Sequence, residues 1–558
     1  MDFEQEIKSV LKRILKKEVD LEVPPDSRLG DYAFPCFELA KKFKKDPNKI
    51  AKELSDKIIN KNFRVENKGP YLNFFIDKNK LTNEVLKEIL RKKDRYGSNK
   101  EKKKEKVMIE FSQANTHKAF HIGHIRGTSL GESLARILEF TGYNVIRVNY
   151  QGDTGMHVAK WLWCYNKFHK NENFPKQDIE KWIASIYVEA VKRLEEKVEY
   201  QTEVDKINLD LESRKDKKLI SLWKKTRKLS LAAFEKIYKD LGARFDHYFF
   251  EREVEKRGKE IALELVKKGV AKIDQGAVII DLEKYTLCIW VLLRKDGTVL
   301  YSVKDLALAE LKFNKFKVDK NIYVVGAAQN LHIHQLFKTL ELMGFKKAKN
   351  CVYIPVSEVR LPTGKMSSRT GENIVYSDFK KEIIEYAISE IEKRYKNIDR
   401  KKAEKRALKI AIATIKFDML KQDLNKTLVF DKNEAMKFEG DTGPYVQYAY
   451  ARCSSILKKA KLSKKIYAEV LNEKDFKLIQ ILGNFSEVVM KAKNEYKPSV
   501  IASYLLSLVK EFNSFYRDNP VLKAEKKVKE TRLSIVFSVK QVLKNGLNLL
   551  GIEVIEEM

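Results

Sequence analysis

Two stretches carry the residues best suited to chemistry. The first, FSQANTHKAFHIGHIRG (111–127), holds three of the chain's eight histidines: His117, His121 and His124. His121 and His124 flank Ile122 and Gly123 at a spacing of three, which puts both on one face of a helix. A helix N-terminus offers unpaired N–H groups and a partial positive charge. Gly123, lacking Cβ, lets a ligand approach the backbone. Two imidazole donors beside such a terminus suit a phosphate whose charge grows in a transition state, and Lys118 adds a cation. As a metal signature, HxxH lacks a third ligand, and a tetrapeptide this short needs company to mean much. That company lies about 240 residues downstream in PTGKMSSRTG (362–371), a basic loop carrying Lys365, Met366, Ser367 and Ser368.

To hold these groups the chain needs a strand feeding a helix. VMIEF (107–111) reads as a short apolar strand. Ile122, Ile125, Leu130, Leu134, Ile137 and Leu138 then follow at helical spacing, and YNVIRVNY (143–150) returns as a strand. Strand, helix, strand predicts a parallel sheet, whose strand-to-helix turns are where nucleotides bind. NIYVVGAAQ (321–329) is a further buried strand leading into the helix of LHIHQLFKTLELMG, and CIWVLLRKDGTVLYSV (288–303), with its Asp296-Gly297 turn, reads as a β-hairpin. The expected fold is α/β. A Rossmann-like parallel-sheet catalytic domain spans 96–385, with a charge-dense helical insertion at about 160–262. An α+β N-terminal unit spans 1–95, with a helix at 48–59 and a strand at 71–76. An all-α C-terminal bundle spans 386–558, with helices at 404–421, 443–460, 475–494, 499–516 and 530–549. KKDRYGSNKEKKKEK (92–106) reads as a solvated linker.

Composition narrows the function class. With 558 residues, 44% hydrophobic, the chain can bury several cores. The 110 Lys and Arg against 78 Asp and Glu give a net charge of +32, which favours polyanions, nucleic acid first. A lysine-rich proteome is the bland alternative. No apolar run reaches the roughly 18 residues of a membrane span, and the N-terminal MDFEQEIKSVLKRILKKEVD is an amphipathic helix without a secretory h-region. Cys36, Cys164, Cys288, Cys351 and Cys453 are scattered without CxxC spacing, which supports neither disulfides nor zinc and fits a reducing, cytoplasmic setting.

HIGH paired with KMSSR resembles the class I aminoacyl-tRNA synthetases, whose signatures are HIGH and KMSKS. Lys365 keeps the first position of the second signature; Ser368 stands where the family has lysine, and Arg369 follows. The neighbouring residues sharpen the resemblance to arginyl-tRNA synthetases: EFSQANTHKAFHIGH, NYQGDTG (149–155), YSVKDLALA (301–309), GAAQNLHIHQLF (326–337), KFEGDTGPYVQYAYAR (437–452) and the N-terminal GDYAFPCFELAKKFKKDPNKIAKEL and GPYLNFFI. The likeness covers nearly the whole chain.

What the resemblance implies is an arginine–tRNA ligase. Such an enzyme joins L-arginine to ATP as arginyl-AMP, releases pyrophosphate, and passes arginine to the terminal ribose of tRNA(Arg). It implies ATP at His121, Gly123, His124, His332, Lys365, Met366, Ser367 and Ser368, with Mg²⁺ accompanying the nucleotide and no zinc. Catalysis falls to His121, His124, Lys365 and Lys118. It implies arginine at Glu110, Asn115, Tyr301, Asp305 and Gln329, a set of carboxylates and acceptors suited to a planar guanidinium fork. Tyr445, Tyr448, Tyr450 and Arg452 are the implied tRNA contacts, and the expected enzyme is monomeric. Taken singly, Asp305 reads first as a helix N-cap, Tyr301 as core packing, Asn115 as turn chemistry and at least one of the bundle tyrosines as helix packing. A class I enzyme of lysyl specificity, a small nucleotidylyltransferase and a tRNA-binding relative without activity stay open here.

Overall fold

Five parallel strands form the centre of the computed structural model, which describes residues 3–60, 62–99, 105–360, 362, 375–395, 398–437, 439–463 and 465–558. They are β1 (Lys106–Glu110), β2 (Asn144–Gln151), β3 (His247–Phe250), β4 (Lys320–Gly326) and β5 (Cys351–Val356), in the order β5-β4-β1-β2-β3. Each neighbouring pair is parallel. Their side chains alternate between two cores. Val107, Ile109, Ile322 and Val324 face one, and Met108, Val148, Tyr323 and Val325 the other. A parallel sheet covered on both faces needs such continuous apolar strands.

The chain leaves β1 in one direction for β2 and β3, then returns to its other side for β4 and β5. The reversal lies between β1 and β4, where Glu110 is in register with Tyr323. In open α/β sheets the crevice at this switch point is the ligand site. Helix α1 (Ile122–Phe140) connects β1 to β2. Gly131 lets it lie against the strand exit, because a Cβ there would collide with the Phe111 ring.

Beyond β2, helices α2 (Met156–Cys164), α3 (Ile179–Glu196), α4 (Tyr200–Ser213) and α5 (Lys217–Asp240) form the insertion, with a core around Trp161, Trp163, Tyr165 and Trp223. Helix α6 (Glu251–Lys267) follows β3, helix α7 (Tyr301–Phe316) precedes β4, and helix α8 (Asn330–Leu342) joins β4 to β5.

The expected hairpin at 288–303 forms only in part. Its turn is present: Gly297 N–H donates to Arg294 O at 2.9 Å and Arg294 N–H to Thr298 O at 3.0 Å. The second arm stops at a bridge between Leu293 and Val299, and strand Ile289–Leu293 pairs instead with Ala277–Asp281. Tyr301 already starts α7, because Val303, Leu306, Ala307 and Phe313 bury one face at helical period, which outweighs the β propensity of VLYSV.

The C-terminal region is α9 (Tyr376–Arg394), α10 (Arg400–Lys421), α11 (Gly443–Leu457), α12 (Glu473–Gly483), α13 (Phe485–Glu495), α14 (Pro498–Asp518) and α15 (Lys526–Leu549). The single helix expected over 475–494 is broken at Asn484, which lets Phe485 stack on Tyr96 at 6.1 Å. The N-terminal unit is a three-stranded antiparallel sheet with helix Pro47–Lys57 packed on it. Part of the expected linker is packed rather than solvated. Tyr96 donates its hydroxyl to Leu482 O at 2.9 Å, and Asn545 Nδ2 donates to Lys93 O and Tyr96 O, each at 3.0 Å. Residues 100–104 of that run lie outside the described residues. Among the described residues no helix is long and apolar enough to cross a membrane.

Candidate active site

The turn from β1 to α1 is held in an unusual backbone. Ser112, Gln113 and His117 all adopt positive φ, 80°, 45° and 61°, a region non-glycine residues enter only where the surroundings enforce it. His117 is one of the enforcing groups. It is fully buried, with Nδ1 3.0 Å from Thr116 Oγ1 and Nε2 2.8 Å from Thr226 Oγ1, and burial pulls its pKa down to about 3.

His121 is the N-cap of α1. Its Nδ1 accepts from Gly123 N–H at 3.2 Å, while its own N–H donates to His124 Nδ1 at 3.2 Å. Both Nδ1 atoms are therefore unprotonated acceptors, and each ring carries its proton on Nε2. The rings lie 3.8 Å apart. Burial, reinforced by Lys118, lowers His121 to about 4; burial, His121 and Lys118 lower His124 well below the usual histidine range. Both are neutral hydrogen-bond donors at physiological pH, and the positive charge beside them is Lys118, whose Nζ lies 5.0 Å from the centre of the Tyr187 ring.

These groups open on a cleft of about 650 Å³ lined by Asn115, Lys118, His121 and His124 on one side and by Lys181, Tyr187 and Lys192 of α3 on the other. The insertion thus supplies one wall of the site. Lys365, Met366, Ser367 and Ser368 lie outside the described residues. The chain on either side of them is tied to α1. Arg126, fully buried, donates to Ser357 O at 2.9 Å, Lys426 O at 3.0 Å, Asp423 O at 3.2 Å and Glu358 O at 3.3 Å. On the far side Tyr376 N–H donates to Phe120 O at 3.0 Å, and Val375 bridges His121.

A second cavity, about 380 Å³, lies at the switch point. Glu110, Asn115, Tyr301, Asp305 and Gln329 all line it, with Tyr150, Glu251 and His332. Asn115 lines both spaces. It can sit there because residue 152 is glycine; a Cβ at Gly152 would collide with Asn115 Oδ1.

The carboxylates of this cavity are not equivalent. Glu110, expected among the carboxylates for the guanidinium, is 4% exposed and forms an ion pair with the fully buried Lys312. Glu251 and Glu255 share Lys304, each 3.1 Å from its Nζ, and burial raises the Glu251 pKa. Asp305 has no lysine or arginine partner among the described residues; its Oδ2 accepts from His332 Nε2 at 2.6 Å. His332, expected at the nucleotide, lines this cavity. Its place on the inner face of α8 brings the imidazole to Asp305 on the neighbouring helix.

Glu251, Tyr150 and Lys312 were not among the residues picked from the sequence. Lys312 had a signal: Tyr301, Asp305, Leu308 and Lys312 recur at helical spacing on one face of α7. Glu251 and Tyr150 depend on how β2 and α6 meet and had none. Below the Gly152 turn, Asp153 is fully buried 3.3 Å from Arg227 and 3.8 Å from Arg252, and burial still lifts its pKa to about 6.

The four residues expected to touch tRNA divide. Tyr450 is 3% exposed and donates to Glu556 at 2.9 Å, so it cannot stack on a base. It lies on the inner face of α11. Arg452 donates to Asn513 at 2.8 Å and to the Tyr448 hydroxyl at 3.2 Å, and lies over the Tyr448 and Tyr516 rings. Tyr445 accepts from Asn513 Nδ2 at 2.8 Å. These three, with the 42% exposed Tyr516, form a half-exposed aromatic and cationic patch.

Cys164, His169 and Glu189 have metal-type donor atoms within 4.8 Å of one another. They are committed elsewhere. His169 bridges Glu172 at 2.7 Å and Glu189 at 2.8 Å, Arg193 holds Glu189 at 2.7 Å, and burial pushes the Cys164 thiol up to about 12.

A family profile described as tRNA synthetases class I (R), catalytic domain, matches residues 85–432. One described as DALR anticodon binding domain matches 446–558, and one described as arginyl tRNA synthetase N terminal domain matches 1–76. The arginine–tRNA ligase of Clostridium kluyveri is 38% identical over 574 aligned residues, covering all of both chains. That of Clostridium perfringens is 37% identical over 570, again covering both in full. The solved arginyl-tRNA synthetase of Thermus thermophilus is similar at a TM-score of 0.84 and 27% identity, covering 100% of this chain and 99% of that one.

Proposed function

The chain belongs to the class I arginyl-tRNA synthetases and is an arginine–tRNA ligase, and we propose that its residues divide that reaction between the two cavities joined at Asn115. The observation that carries this reading is the convergence of Glu110, Asn115, Tyr301, Asp305 and Gln329 on one small cavity beside His121 and His124.

Arginine takes the 380 Å³ cavity. Its guanidinium pairs with Asp305, the carboxylate whose partner is a histidine rather than a lysine. Charge-assisted hydrogen bonds of this kind are about twice as strong as neutral ones. Glu110, balanced by Lys312, contributes acceptor geometry rather than net charge, together with Tyr301, Gln329 and Asn115. A lysine ammonium matches this set poorly, because it is a compact point charge without the planar fork.

ATP takes the larger cleft. The arginine carboxylate, ionised at neutral pH, attacks the α-phosphate in line, so no side chain acts as general base. His121 and His124 donate from Nε2 to the oxygens that gain charge. Being neutral, they add directed dipoles without repelling Lys118. Lys365, by its place in the second signature, meets the β- and γ-phosphates. Mg²⁺ enters as the MgATP substrate. The carboxylates at this cleft, Glu189 and Asp378, are held by Arg193 and His169 and by Lys181, which supports the ion being carried by the phosphates themselves. The terminal ribose hydroxyl of tRNA(Arg) then attacks the arginyl carbonyl and releases AMP. Tyr445, Tyr448 and Arg452 on α11 hold the tRNA at a distance from the chemistry.

Arginine-dependent ATP–pyrophosphate exchange in the presence of tRNA(Arg) tests the assignment. Asp305→Ala is expected to raise the arginine KM while leaving the ATP KM near the wild-type value; an unaltered arginine KM removes Asp305 from the guanidinium site.

A further inference from the structure

His332 is held more firmly than a nucleotide contact at a pocket edge would need. It is 6% exposed, its ring sits 4.7 Å from Tyr301 and 5.5 Å from Trp290, and its helix is pinned where Gln335 Nε2 donates to Leu287 O at 2.6 Å. Its Nε2 lies 2.6 Å from Asp305 Oδ2. Its Nδ1 is buried and has no hydrogen-bond partner among the described residues.

Nε2 faces a carboxylate oxygen, so it carries a proton and donates it to Asp305 as a hydrogen bond. Nδ1 faces no acceptor among the described residues, so no second hydrogen bond competes to turn the ring away from Asp305. A lysine in its place would cancel the carboxylate, as Lys312 cancels Glu110. The imidazole instead orients the carboxylate through one directed hydrogen bond.

We propose that His332 is an arginine-positioning residue, acting through Asp305. By occupying Oδ2 it fixes the carboxylate plane and leaves Oδ1 turned toward the guanidinium. It binds neither ATP nor the reacting atoms. This rests on the assignment of Asp305 to the guanidinium.

The test is pyrophosphate exchange with tRNA(Arg) present, varying arginine and ATP separately, in His332→Leu, His332→Gln and Asp305→Asn. His332→Leu removes the donor and is expected to raise the arginine KM about tenfold or more with the ATP KM unchanged. His332→Gln restores an N–H at the position of Nε2 and is expected to return the arginine KM to within about threefold of wild type. A purely structural role would not be rescued by glutamine and would not separate the two KM values. If His332→Leu does not fold, His332→Asn, too short to reach Asp305, takes its place. If Asp305→Asn raises the arginine KM and the His332 variants do not, the inference fails while the guanidinium assignment stands. If Asp305→Asn has no effect, that assignment fails and the inference with it. A change in the ATP KM alone puts His332 at the nucleotide and overturns the proposal.

Discussion

Tyr376 N–H donates to Phe120 O at 3.0 Å, so the chain just beyond the second signature is hydrogen-bonded to the residue just before His121. With Arg126 of α1 gripping Ser357 and Glu358 on the near side, the helix that carries the histidines also anchors the chain on both sides of Lys365. The described residues on either side of the second signature, about 240 residues downstream of the first, thus share a structural reference with His121.

His121→Ala and His124→Ala are each expected to lower kcat for adenylate formation by about 10²–10³-fold, the usual cost of losing one donor to a developing oxyanion. Because burial holds His121 at about 4, its loss should subtract no ionisation from the rate profile above about pH 5.5. Rates measured from pH 5.5 to 8 in wild type and variants check this. A histidine ionisation near neutrality that disappears in His121→Ala would contradict the neutral-donor role.

The buried Glu110–Lys312 pair predicts a double-mutant cycle. Glu110→Gln strands the Lys312 charge in the core and should cost about 3–5 kcal/mol of stability. Glu110→Gln with Lys312→Met removes both charges and should recover most of that loss. Urea midpoints of wild type, Glu110→Gln, Lys312→Met and the double variant give the coupling. Equal midpoints for wild type and Glu110→Gln would mean that the pair is not formed.

Glu180, at the start of α3, is 8% exposed and lies against the N-terminus of α9. Burial raises its pKa to about 7, while the Ser377 side chain and the Ser377 and Tyr376 backbone amides pull the other way. The folded value lies above the ordinary 4.5. Its stabilising contribution is therefore complete below about pH 4.5 and is lost as pH rises toward 7. Relative to Glu180→Gln, wild type should lose about 3 kcal/mol across that window. Thermal unfolding of both proteins from pH 4.5 to 8 measures it, and a pH-independent difference would contradict it.

On α11 the prediction is a contrast. Tyr450→Phe, at a buried position, should leave the KM for tRNA unchanged. Tyr448→Ala and Arg452→Ala should each raise it about 5- to 100-fold, the range for losing one base-stacking contact. Aminoacylation at varied tRNA concentration distinguishes them. Equal effects at Tyr448 and Tyr450 would place the tRNA elsewhere on the bundle.

The sequence carried the parts of this site that lie on regular elements. His121 and His124 at a helix start were legible because their spacing follows the period of the element that holds them, whereas Glu110, Tyr301 and Asp305 come from the family resemblance, with Tyr301 on the arm of the expected hairpin. What could not be read were relations between elements. Lys312 neutralises Glu110 across two elements, His332 reaches Asp305 from the next helix, and α3 walls the cleft from a long insertion. Tyr450 and Tyr448 stand two apart in one motif, yet only the packing of α11 decides which faces solvent. The hairpin at 288–303 misled because its second arm has β-prone residues whose burial pattern is helical.

The most direct test is pyrophosphate exchange with arginine and with lysine, each in the presence of tRNA(Arg), by wild type and Asp305→Ala. The account predicts exchange with arginine, little with lysine, and an arginine KM that rises in the variant alone. Equal exchange with lysine, or an arginine KM indifferent to Asp305, would contradict it.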